Sequence, residues 1–557
     1  MRAHLHGKTN RELLTKRTKK MKKTMKQHSF TSQLKSLAVV FGIAMAFASC
    51  TNEDVAQNPT NPNEDNNKNL TTFVAGDETK TRTSLDYNSS DFSWEAGDYI
   101  YVKDDDGTLQ KSSNAPTSKV ASFKYKVPGK FTASSSYKVY YLGKNSNGSQ
   151  VTISTAQTQT KPDNTEHFGT AGDYGTTTAT KVTGKNQFAF ELEHQPAYLV
   201  FQPYTSNTIL QNCYLTKIEV TSDNDIAETY TVNPTTGALD ASAVTNGNKI
   251  VLTTQDPTWG SSNYNGFPLT NSAANVTTNG AYMVIKPGTH TLKVRYWVYD
   301  KDTYVEGTIT KTLASKTYAP NTYYDMTANL NVRDYDGDHY YMWDAQNQYW
   351  YGYEWTRNLP AGVGQPTLNH TSSSNYPQSN TDPRYYNESF AGYGISTPAT
   401  LAPCKDLPNA NELSWYVMYG DPRWDADELW TTMGHLYKGG MWFKKKSVLQ
   451  AEHHYDTEKS ADGTTDLRTT YKYYGNNSSS INSGVPSAAD AGNYFYLPAL
   501  GYYNSDALTD ISINGNYWSS SASSLSSYSA CSLYFLRGYV SMGSNNRAYG
   551  YRVGGFE

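Results

Sequence analysis

The sequence predicts an exported, multidomain protein in which two tandem all-β sandwiches precede an α+β domain. Three observations predict this. A basic leader and a short apolar run end at Cys50. A long region of short β-type segments follows, in a chain with 47 Tyr against 17 Phe, and Tyr favours strands while keeping a polar tip for water. The composition then changes, since 8 of the 11 Trp lie at or beyond Trp343.

Residues 1–49 have the organisation of a signal peptide. Lysines precede the apolar run Leu37–Phe47, and two small residues lead to Cys50. The run has about a dozen residues, whereas a membrane-spanning helix needs roughly 20. Met21 with its two following lysines is a conventional signal start, so residues 1–20 are predicted to be an over-extended reading frame.

The end of the leader resembles the lipobox of bacterial lipoproteins, although Phe47 stands where that motif usually has Leu. The resemblance implies a diacylglycerol thioether on Cys50 and an outer-membrane lipoprotein. A plain cleaved signal with a chance cysteine is the alternative. Residues 50–70 are polar, Asn-rich and Pro-bearing, which predicts a flexible tether. Within it, Glu53-Asp54 resembles the signal that sends some lipoproteins to the outer face of the outer membrane.

The charge of the exported chain argues against nucleic acid as a partner. The leader holds 11 Lys/Arg and one Glu, which leaves 37 basic and 50 acidic residues from Cys50 onward and a net charge of −13. Nucleic-acid binders need basic patches that neutralise phosphates. Beyond the leader no basic run is longer than the three residues Lys444–Lys446.

The region 71–332 alternates strand-like segments with turn residues and shows no helical period. This pattern predicts one β-sandwich over 71–195 and a second over 196–332. The predicted strands are Phe73–Ala75, Tyr99–Val102, Tyr137–Leu142, Val151–Ile153, Phe188–Phe190, Tyr198–Phe201, Tyr214–Val220, Ile250–Leu252, Tyr282–Ile285 and Leu292–Tyr299, with a turn at Asp300–Asp302.

Three stretches within 71–332 resemble the fimbrillin family, the fimbrial subunits of anaerobic Gram-negative bacteria. Thr81–Thr83 with F-S-W-E-x-G-D-x-I-x-V at Phe92–Val102 resembles the start of the family pattern. Glu193–Phe201 resembles the entry to its second sandwich, and Tyr318–Tyr324 resembles its closing turn and strand. The resemblance implies transthyretin-like sandwiches, assembly with other fimbrial subunits by β-strand exchange, and a cell-surface fimbrium.

Two conspicuous side chains in these motifs have structural interpretations. We expect His194 to be a hydrogen-bonded structural histidine and Trp94 to be a core residue rather than a ligand contact.

The resemblance also implies proteolytic maturation at Arg82. In the fimbrillin family a trypsin-like protease cuts after a basic residue and removes the lipidated segment with the first strand. Arg82 follows the predicted strand Phe73–Ala75 and a turn. A neighbour's strand would then fill the open groove and satisfy its unpaired N–H and C=O groups. The alternative is that Thr81–Thr83 lies in a strand and is an ordinary basic segment.

Residues 333–345 are predicted to be a linker. Within it Asp334, Asp336 and Asp338 alternate at calcium-loop spacing but lack the later Gly and Glu of an EF-hand loop. An interdomain hinge needs no metal, so both interpretations stay open. No cofactor is predicted apart from the lipid on Cys50.

Residues 346–557 show the first helical signals. Apolar residues at i, i+3 and i+7 predict a helix over 408–417. Asp425–Glu428 has the spacing of a capping box and predicts a second helix. The buried stripe of this second helix would be Leu429, Met433 and Leu436.

The Gly- and Trp-rich strands that follow resemble a C-type-lectin-like domain, and in particular the bacterial major paralogous domains, relatives of the formylglycine-generating enzyme fold. The motifs are G-x-Y-W-S-S at Gly515–Ser520 and R-x-x-G-x-R-V at Arg547–Val553, and the resemblance is strongest over 400–557. It implies a ligand surface on a long loop region and closure of the domain by its terminal strands. Gly515, Trp518 and Arg552 are interpreted as residues that serve the fold.

The sequence predicts a non-enzymatic role. It contains no G-x-S-x-G, H-E-x-x-H or phosphate loop, and no E-P-N or Q-P-D triplet of lectin calcium sites. Formylglycine-generating chemistry needs neighbouring reactive cysteines, whereas Cys404 and Cys531 are far apart in sequence. In an oxidising envelope these two could instead form a disulfide, leaving Cys213 buried and free.

Two non-enzymatic functions follow. The favoured one is a fimbrial subunit, at the tip rather than in the shaft, whose C-terminal domain contacts a host or microbial glycan or protein. The alternative is a monomeric outer-membrane lipoprotein that captures glycan for uptake. Aromatic side chains stack on sugars and dominate binding hot spots. The predicted ligand contacts are Tyr385, Tyr386, Trp442, Tyr502 and Tyr503.

Overall fold

The computed structural model describes residues 27–29, 70–76, 84–87, 91–144, 146–353, 375–387, 395–477 and 479–557. Cys50 and Arg82 lie outside the described residues. Of the predicted leader, Gln27–Ser29 is described, as a strand paired antiparallel with Thr322–Tyr324. Among the described helices, none has the length and apolar character needed to cross a membrane.

The chain forms two compact units. Unit 1 comprises the described parts of Met1–Tyr204 with Leu215–Tyr296 and Thr310–Leu330, and unit 2 comprises Thr205–Tyr214, Trp297–Ile309 and the described parts of Asn331–Glu557. Residues of both predicted sandwiches occur in unit 1. The boundaries predicted at 195, 332 and 345 stay predictions.

Unit 1 contains a large sheet built from residues 70–194. In Phe123–Pro128 the alternating Tyr125 and Val127 are buried, and Trp94 is buried with its ring 5.4 Å from that of Tyr125. The core interpretation of Trp94 is confirmed. The strand order is Leu109–Lys111, Tyr101–Lys103, Ser136–Tyr141, Gly175–Lys181, Gln187–Phe190, Leu70–Ala75 and Phe123–Pro128, with Glu193–His194 also on Gly175–Lys181.

His194 is a structural histidine, as predicted. Its Nδ1 lies 2.9 Å from the buried carboxylate of Asp173, which also accepts a hydrogen bond from the Tyr198 hydroxyl at 2.7 Å. All three side chains are buried. Buried polar groups need such partners, so the cluster is explained without a ligand.

Two further sheets pack together through apolar faces. Phe201 of one contacts Tyr296 of the other edge-to-face, with centroids 6.2 Å apart. The first has the order Gln27–Ser29, Thr322–Asn329, Ala197–Tyr204 and Ala281–Ile285. The second has the order Ala156–Thr158, Lys249–Thr253, Tyr214–Ser222, Leu292–Asp300 and Val305–Thr312, with Phe267–Pro268 on Tyr214–Ser222.

Smaller elements complete the β region. Two four-residue helices and one 3₁₀ turn are described there, which agrees with the absence of a helical period before residue 330. The helices are Phe168–Ala171 and Val276–Asn279, the 3₁₀ turn is Leu210–Asn212, and the small sheets join Gln150–Thr152, Glu228–Val232 and Leu239–Ala243, Gly288–His290 with Lys316–Tyr318, and Ser84–Asp86 with Asp91–Ser93.

Unit 2 combines two sheets with short helices. Its segment Tyr340–Tyr341 pairs antiparallel with Tyr551–Arg552. One sheet has the order Arg333–Asp334, Arg423–Thr432, His435–Lys444 and Tyr494–Pro498, with Asn482–Ser483 on Arg423–Thr432. The other has the order Tyr340–Tyr341, Tyr551–Arg552, Asn514–Ala522, Ser529–Leu536, Tyr539–Asn546 and Tyr474–Asn477, joined by Leu500–Asn504 and Ala507–Ile511. The helices are Ala402–Lys405, Ala410–Tyr419 and Lys446–Ala451, with 3₁₀ turns at Gly337–His339 and Ala491–Asn493.

The first predicted helix is confirmed as Ala410–Tyr419. Asn409 caps it, since its side chain accepts from the Glu412 amide at 3.1 Å while the Glu412 carboxylate accepts from the Asn409 amide at 2.8 Å. This reciprocal pair satisfies two amides that lack helical partners. Leu413 and Val417 are fully buried, as the spacing predicts.

The second predicted helix is wrong. Arg423–Thr432 is a strand that forms a hairpin with His435–Lys444. Asp425 does accept from the Glu428 amide at 3.1 Å, but this bond lies where the register of the strand shifts. The turn is Met433-Gly434, both with positive φ. Such turns usually contain Asn or Asp. Here the first turn residue is the apolar, buried Met433, so the sequence shows no turn signal at this place.

The three cysteines of the described residues are free and buried. The alternative of a disulfide between Cys404 and Cys531 is therefore wrong for this structure. Burial raises the pKa of each of these two thiols to about 12. Cys213 is buried and free, as predicted.

Candidate ligand-binding cleft

Unit 2 contains a cleft of about 650 Å³, a size typical of small-molecule sites. One side is formed by residues of the strands Arg423–Thr432, His435–Lys444 and Tyr494–Pro498. The segments 333–339 and 552–557, with Leu500 and Tyr517, contribute the rest of the lining.

Trp442 and Tyr496 provide an aromatic wall of the cleft. They are cross-strand partners in register, with ring centroids 5.0 Å apart and planes inclined by 51°. Side chains alternate between the two faces of a strand, so the flanking Met441 and Phe443 are fully buried in the core while Trp442 is half-buried. The sheet therefore fixes both rings.

Two carboxylates lie beside this wall. The Trp442 indole donates to Asp425 Oδ2 at 3.2 Å, and Asp425 Oδ1 accepts from the Asp427 and Glu428 amides. Glu428 lines the cleft and is exposed. The pKa of its carboxyl is raised, first by loss of solvent around it and second by the charge of Asp425.

The lining also carries two guanidinium groups, that of Arg333 on the strand that pairs with Arg423–Thr432 and that of Arg552. Arg552 is buried and donates to the backbone oxygen of Asp336 at 2.6 Å, with the Asp336 carboxylate 3.8 Å away. The Arg333 guanidinium lies 4.7 Å from the centroid of the Tyr335 ring, which is a cation–π distance. Arg552 thus joins the segment 333–339 to the end of the chain, which agrees with its structural interpretation.

The predicted ligand contacts do not form one site. Trp442 lines the cleft. Tyr502 is half-buried against Tyr551, with ring centroids 5.4 Å apart. Tyr385 is half-buried and contacts Tyr386, with centroids 4.4 Å apart.

Tyr386 and Tyr503 are buried, whereas a ligand contact needs an exposed ring. Tyr503 stacks on Tyr349 at 5.2 Å and belongs to the core of unit 2. Its neighbour Tyr502 points the other way, because side chains alternate along a strand. The adjacent tyrosines in the sequence gave no indication of which one faces inward.

Tyr335, Tyr496 and Glu428 line the cleft and are not among the ligand contacts that the sequence predicts. The capping-box spacing places Glu428 at the start of a helix, whereas it lies at an irregularity of a strand. Tyr496 could have been found from the alternation in Tyr494–Pro498, where Phe495 and Leu497 face the core. Tyr335 had no recognisable signal in the predicted linker.

The aspartates of calcium-loop spacing have protein partners. Asp334 accepts from the Thr431 hydroxyl at 2.7 Å. Asp336 accepts from the Asp338 amide at 3.0 Å and lies 2.6 Å from Nδ1 of His339, where it caps a 3₁₀ turn. The calcium alternative stays a prediction.

A different group of side chains has the composition of a metal site. Among the described residues, Asp300, Asp302 and His435 bring possible ligand atoms within 4.8 Å of one another. Asp300 Oδ2 accepts from the Leu436 amide at 3.0 Å and lies 3.5 Å from His435 Nδ1, and Asp302 pairs with Lys301 at 2.6 Å. These partners account for the group, so we assign no metal to it.

Unit 1 offers a second candidate feature, the slot that holds Leu70–Ala75. This strand lies between two others: it pairs antiparallel with Phe123–Pro128 and parallel with Gln187–Phe190. Phe73 and Ala75 are fully buried. It is therefore an inner strand of the sheet, with ladder hydrogen bonds on both edges.

Comparisons with known proteins give weak structural likenesses. No family model matches the chain, and no curated protein matches it. The chain is similar to a candidate cell adhesion protein from Bacteroides ovatus (14% identity, 47% of this chain and 92% of that one, TM-score 0.29). It is also similar to a fimbrial protein from Bacteroides ovatus (10% identity, 87% and 98%, TM-score 0.22).

A third likeness is to the fimbrial anchor protein Mfa2 from Porphyromonas gingivalis (14% identity, 44% of this chain and 82% of that one, TM-score 0.21). All three TM-scores lie below 0.5. The likenesses alone therefore establish neither the fold nor the function.

Proposed function

We propose that this chain is a non-enzymatic fimbrial subunit of the cell surface that assembles by β-strand exchange and binds a ligand through unit 2. The observation that carries the proposal is the position of Leu70–Ala75 between Phe123–Pro128 and Gln187–Phe190. An inner strand this close to the start of the exported chain can be removed as a unit. Its removal would leave a slot that only another strand can fill.

The chemistry of the empty slot favours a strand as its occupant. Backbone N–H and C=O groups of both flanking strands would lose their partners, and unpaired buried groups of this kind are costly. The pocket of the Phe73 ring, formed in part by Phe131 and Phe188, would face solvent. A neighbour's strand with apolar side chains at alternate positions satisfies both needs.

The lipid and the cleavage site fit this scheme. Cys50 carries the lipid that holds the precursor at the outer membrane, and Arg82 follows Leu70–Ala75 in the chain. A cut after Arg82 releases the lipid and the strand in one step. Assembly with other fimbrial subunits is thereby coupled to release from the anchor.

Unit 2 is the ligand-binding part, with a C-type-lectin-like fold. The pairing of Tyr340–Tyr341 with Tyr551–Arg552 supports closure of this fold by its terminal strands. Trp518 supports it as well, since it is buried and stacks on Tyr551 with centroids 4.4 Å apart. The resemblance to the fimbrillin family implies that a shaft subunit joins the next subunit through a free C-terminal strand. Because the strand Tyr551–Arg552 is engaged within its own unit, we place the subunit at the tip of the fimbrium.

The test compares a chain that begins at Thr83 with one that begins at Thr51. We expect the shorter chain to bind a synthetic peptide of residues 68–77 and the longer chain not to bind it. A Phe73→Ala peptide is the matched control and should bind more weakly. A monomeric Thr83 chain that ignores the peptide would favour the alternative of a lone glycan-capturing lipoprotein.

A further inference from the structure

We propose that the cleft of unit 2 recognises an amino sugar with a free, protonated amine, which sits against Trp442 and Tyr496 with its ammonium group at Glu428. The inference rests on the proposed function of unit 2 and names the ligand class of the same cleft.

The first observation is a carboxylate without a partner. Among the described residues, Glu428 has no ion pair and its side chain makes no hydrogen bond. The other carboxylates of the lining have partners: Asp334 has Thr431, Asp336 has Arg552 and His339, and Glu557 has Lys445.

The second observation is the charge around Glu428. Asp425 is buried nearby and binds neutral donors, the Trp442 indole and two backbone amides. The negative charge at this end of the cleft is therefore not compensated by a protein cation within 4 Å. The pKa of Glu428 is raised first by loss of solvent and second by the charge of Asp425, and a bound cation would relieve this second effect.

The third observation is the aromatic wall. The faces of Trp442 and Tyr496 are held next to these carboxylates. A ring face attracts a cation within about 6 Å, and it also provides apolar area for the C–H groups of a sugar ring. Wall and carboxylate together fit an amine attached to a pyranose.

The size and polarity of the cleft favour a sugar over a lysine side chain. A volume of about 650 Å³ exceeds what a single alkylammonium chain fills. The lining contains both donors, such as Arg333, and acceptors, such as Asp334 and Glu428. The hydroxyl groups of a sugar need both kinds of partner.

The test measures binding of the mature full chain to three probes by calorimetry: a glucosamine tetrasaccharide, its fully N-acetylated form and a tetralysine peptide. We expect the free amine to bind about tenfold more tightly than the acetylated form, since a hydrogen bond to a charged group has this magnitude. Glu428→Gln should remove that preference. Asp427→Asn, in the adjacent exposed residue outside the cleft lining, should keep it.

Each other outcome overturns the inference. If the acetylated form binds as tightly as the glucosamine tetrasaccharide or more tightly, the ligand does not need a charged amine. If tetralysine binds more tightly than the glucosamine tetrasaccharide, the ligand is not a sugar. If Glu428→Gln keeps the preference for the free amine, Glu428 is not the residue that binds the ammonium group. If no probe binds, the inference fails. Adhesion of the protein to a mixed glycan and mucin array then tests the proposed function separately. Loss of this adhesion in Trp442→Ala would support ligand binding by unit 2, and unchanged adhesion would refute the proposed function as well.

Discussion

The ring of Phe73 stacks on the ring of Phe188, with centroids 5.1 Å apart and planes inclined by 16°. Phe188 lies on a strand that pairs in parallel with the strand of Phe73. A third ring, Phe131, meets Phe73 edge-to-face at 5.1 Å. The strand Leu70–Ala75 is thus held by apolar contacts as well as by its two ladders, and the slot has a specific pocket for one aromatic side chain.

Phe73→Ala should destabilise unit 1 strongly. The ring is fully buried, and replacing a buried Phe by Ala typically costs about 3–5 kcal/mol. Denaturant unfolding followed by circular dichroism measures the change. Thr71→Ala on the same strand is the control and should cost less, because Thr71 is only half-buried. An equal loss of unfolding free energy in the two variants would contradict a specific pocket for the Phe73 ring.

Trp442→Ala should weaken ligand binding by about tenfold or more, since buried aromatic anchors dominate binding hot spots. Trp259→Ala is the control. Trp259 is 89% exposed and belongs to unit 1. Binding to a glycan array measures both variants. Loss of binding in Trp259→Ala with retention in Trp442→Ala would move the ligand surface to unit 1.

His167 should make unit 1 less stable in mild acid. Its Nδ1 is enclosed, its Nε2 lies 2.9 Å from the Tyr282 carbonyl oxygen, and burial lowers its pKa to about 4. An unfolded histidine titrates near 6.5. Between these values the unfolded chain binds the extra proton, so stability is complete above about pH 6.5 and declines as the pH falls toward 4.

The measurement is the free energy of unfolding of wild type and His167→Gln at several pH values. Because carboxyl groups also titrate in this range, the difference between the two proteins isolates His167. We expect wild type to lose stability relative to the variant as the pH falls from 6.5 to 4. A constant difference would contradict the assignment.

The cysteines should behave as three inert thiols. In a chain that begins at Thr51, Cys213, Cys404 and Cys531 are free and buried, and a buried thiol with a raised pKa reacts slowly. A thiol reagent should label none of them in the native protein and all three in denaturant. Labelling of Cys213 alone in denaturant would indicate a disulfide between the other two.

Much of the β region could be predicted from sequence because its strands are short, aromatic or β-branched, and bounded by turn residues. Leu292–Asp300 is an example, with alternating buried side chains and a turn at the predicted place. The pairing partners could not be predicted. Leu70–Ala75 pairs with strands more than 45 residues away in sequence, and no local pattern encodes that choice.

The C-terminal unit shows where local patterns mislead. Asn409 and Asp425 each begin an acceptor-x-x-Glu pattern, and each accepts a hydrogen bond from the amide of the glutamate three residues on. The first begins a helix, and the second lies in a strand. Tertiary pairing with His435–Lys444 decided the second case. Because the spacing of Asp425 and Glu428 predicts a helix, it gives no indication that these two carboxylates lie together beside the cleft.

The N-terminal sequence of the protein in sheared fimbriae tests the strand-exchange account most directly. The account predicts that the assembled subunit begins at Thr83, having lost the lipid on Cys50 and the strand Leu70–Ala75 through a cut after Arg82. Protein with a blocked, lipidated Cys50 in assembled fimbriae would contradict it, because the original strand would then still fill its slot.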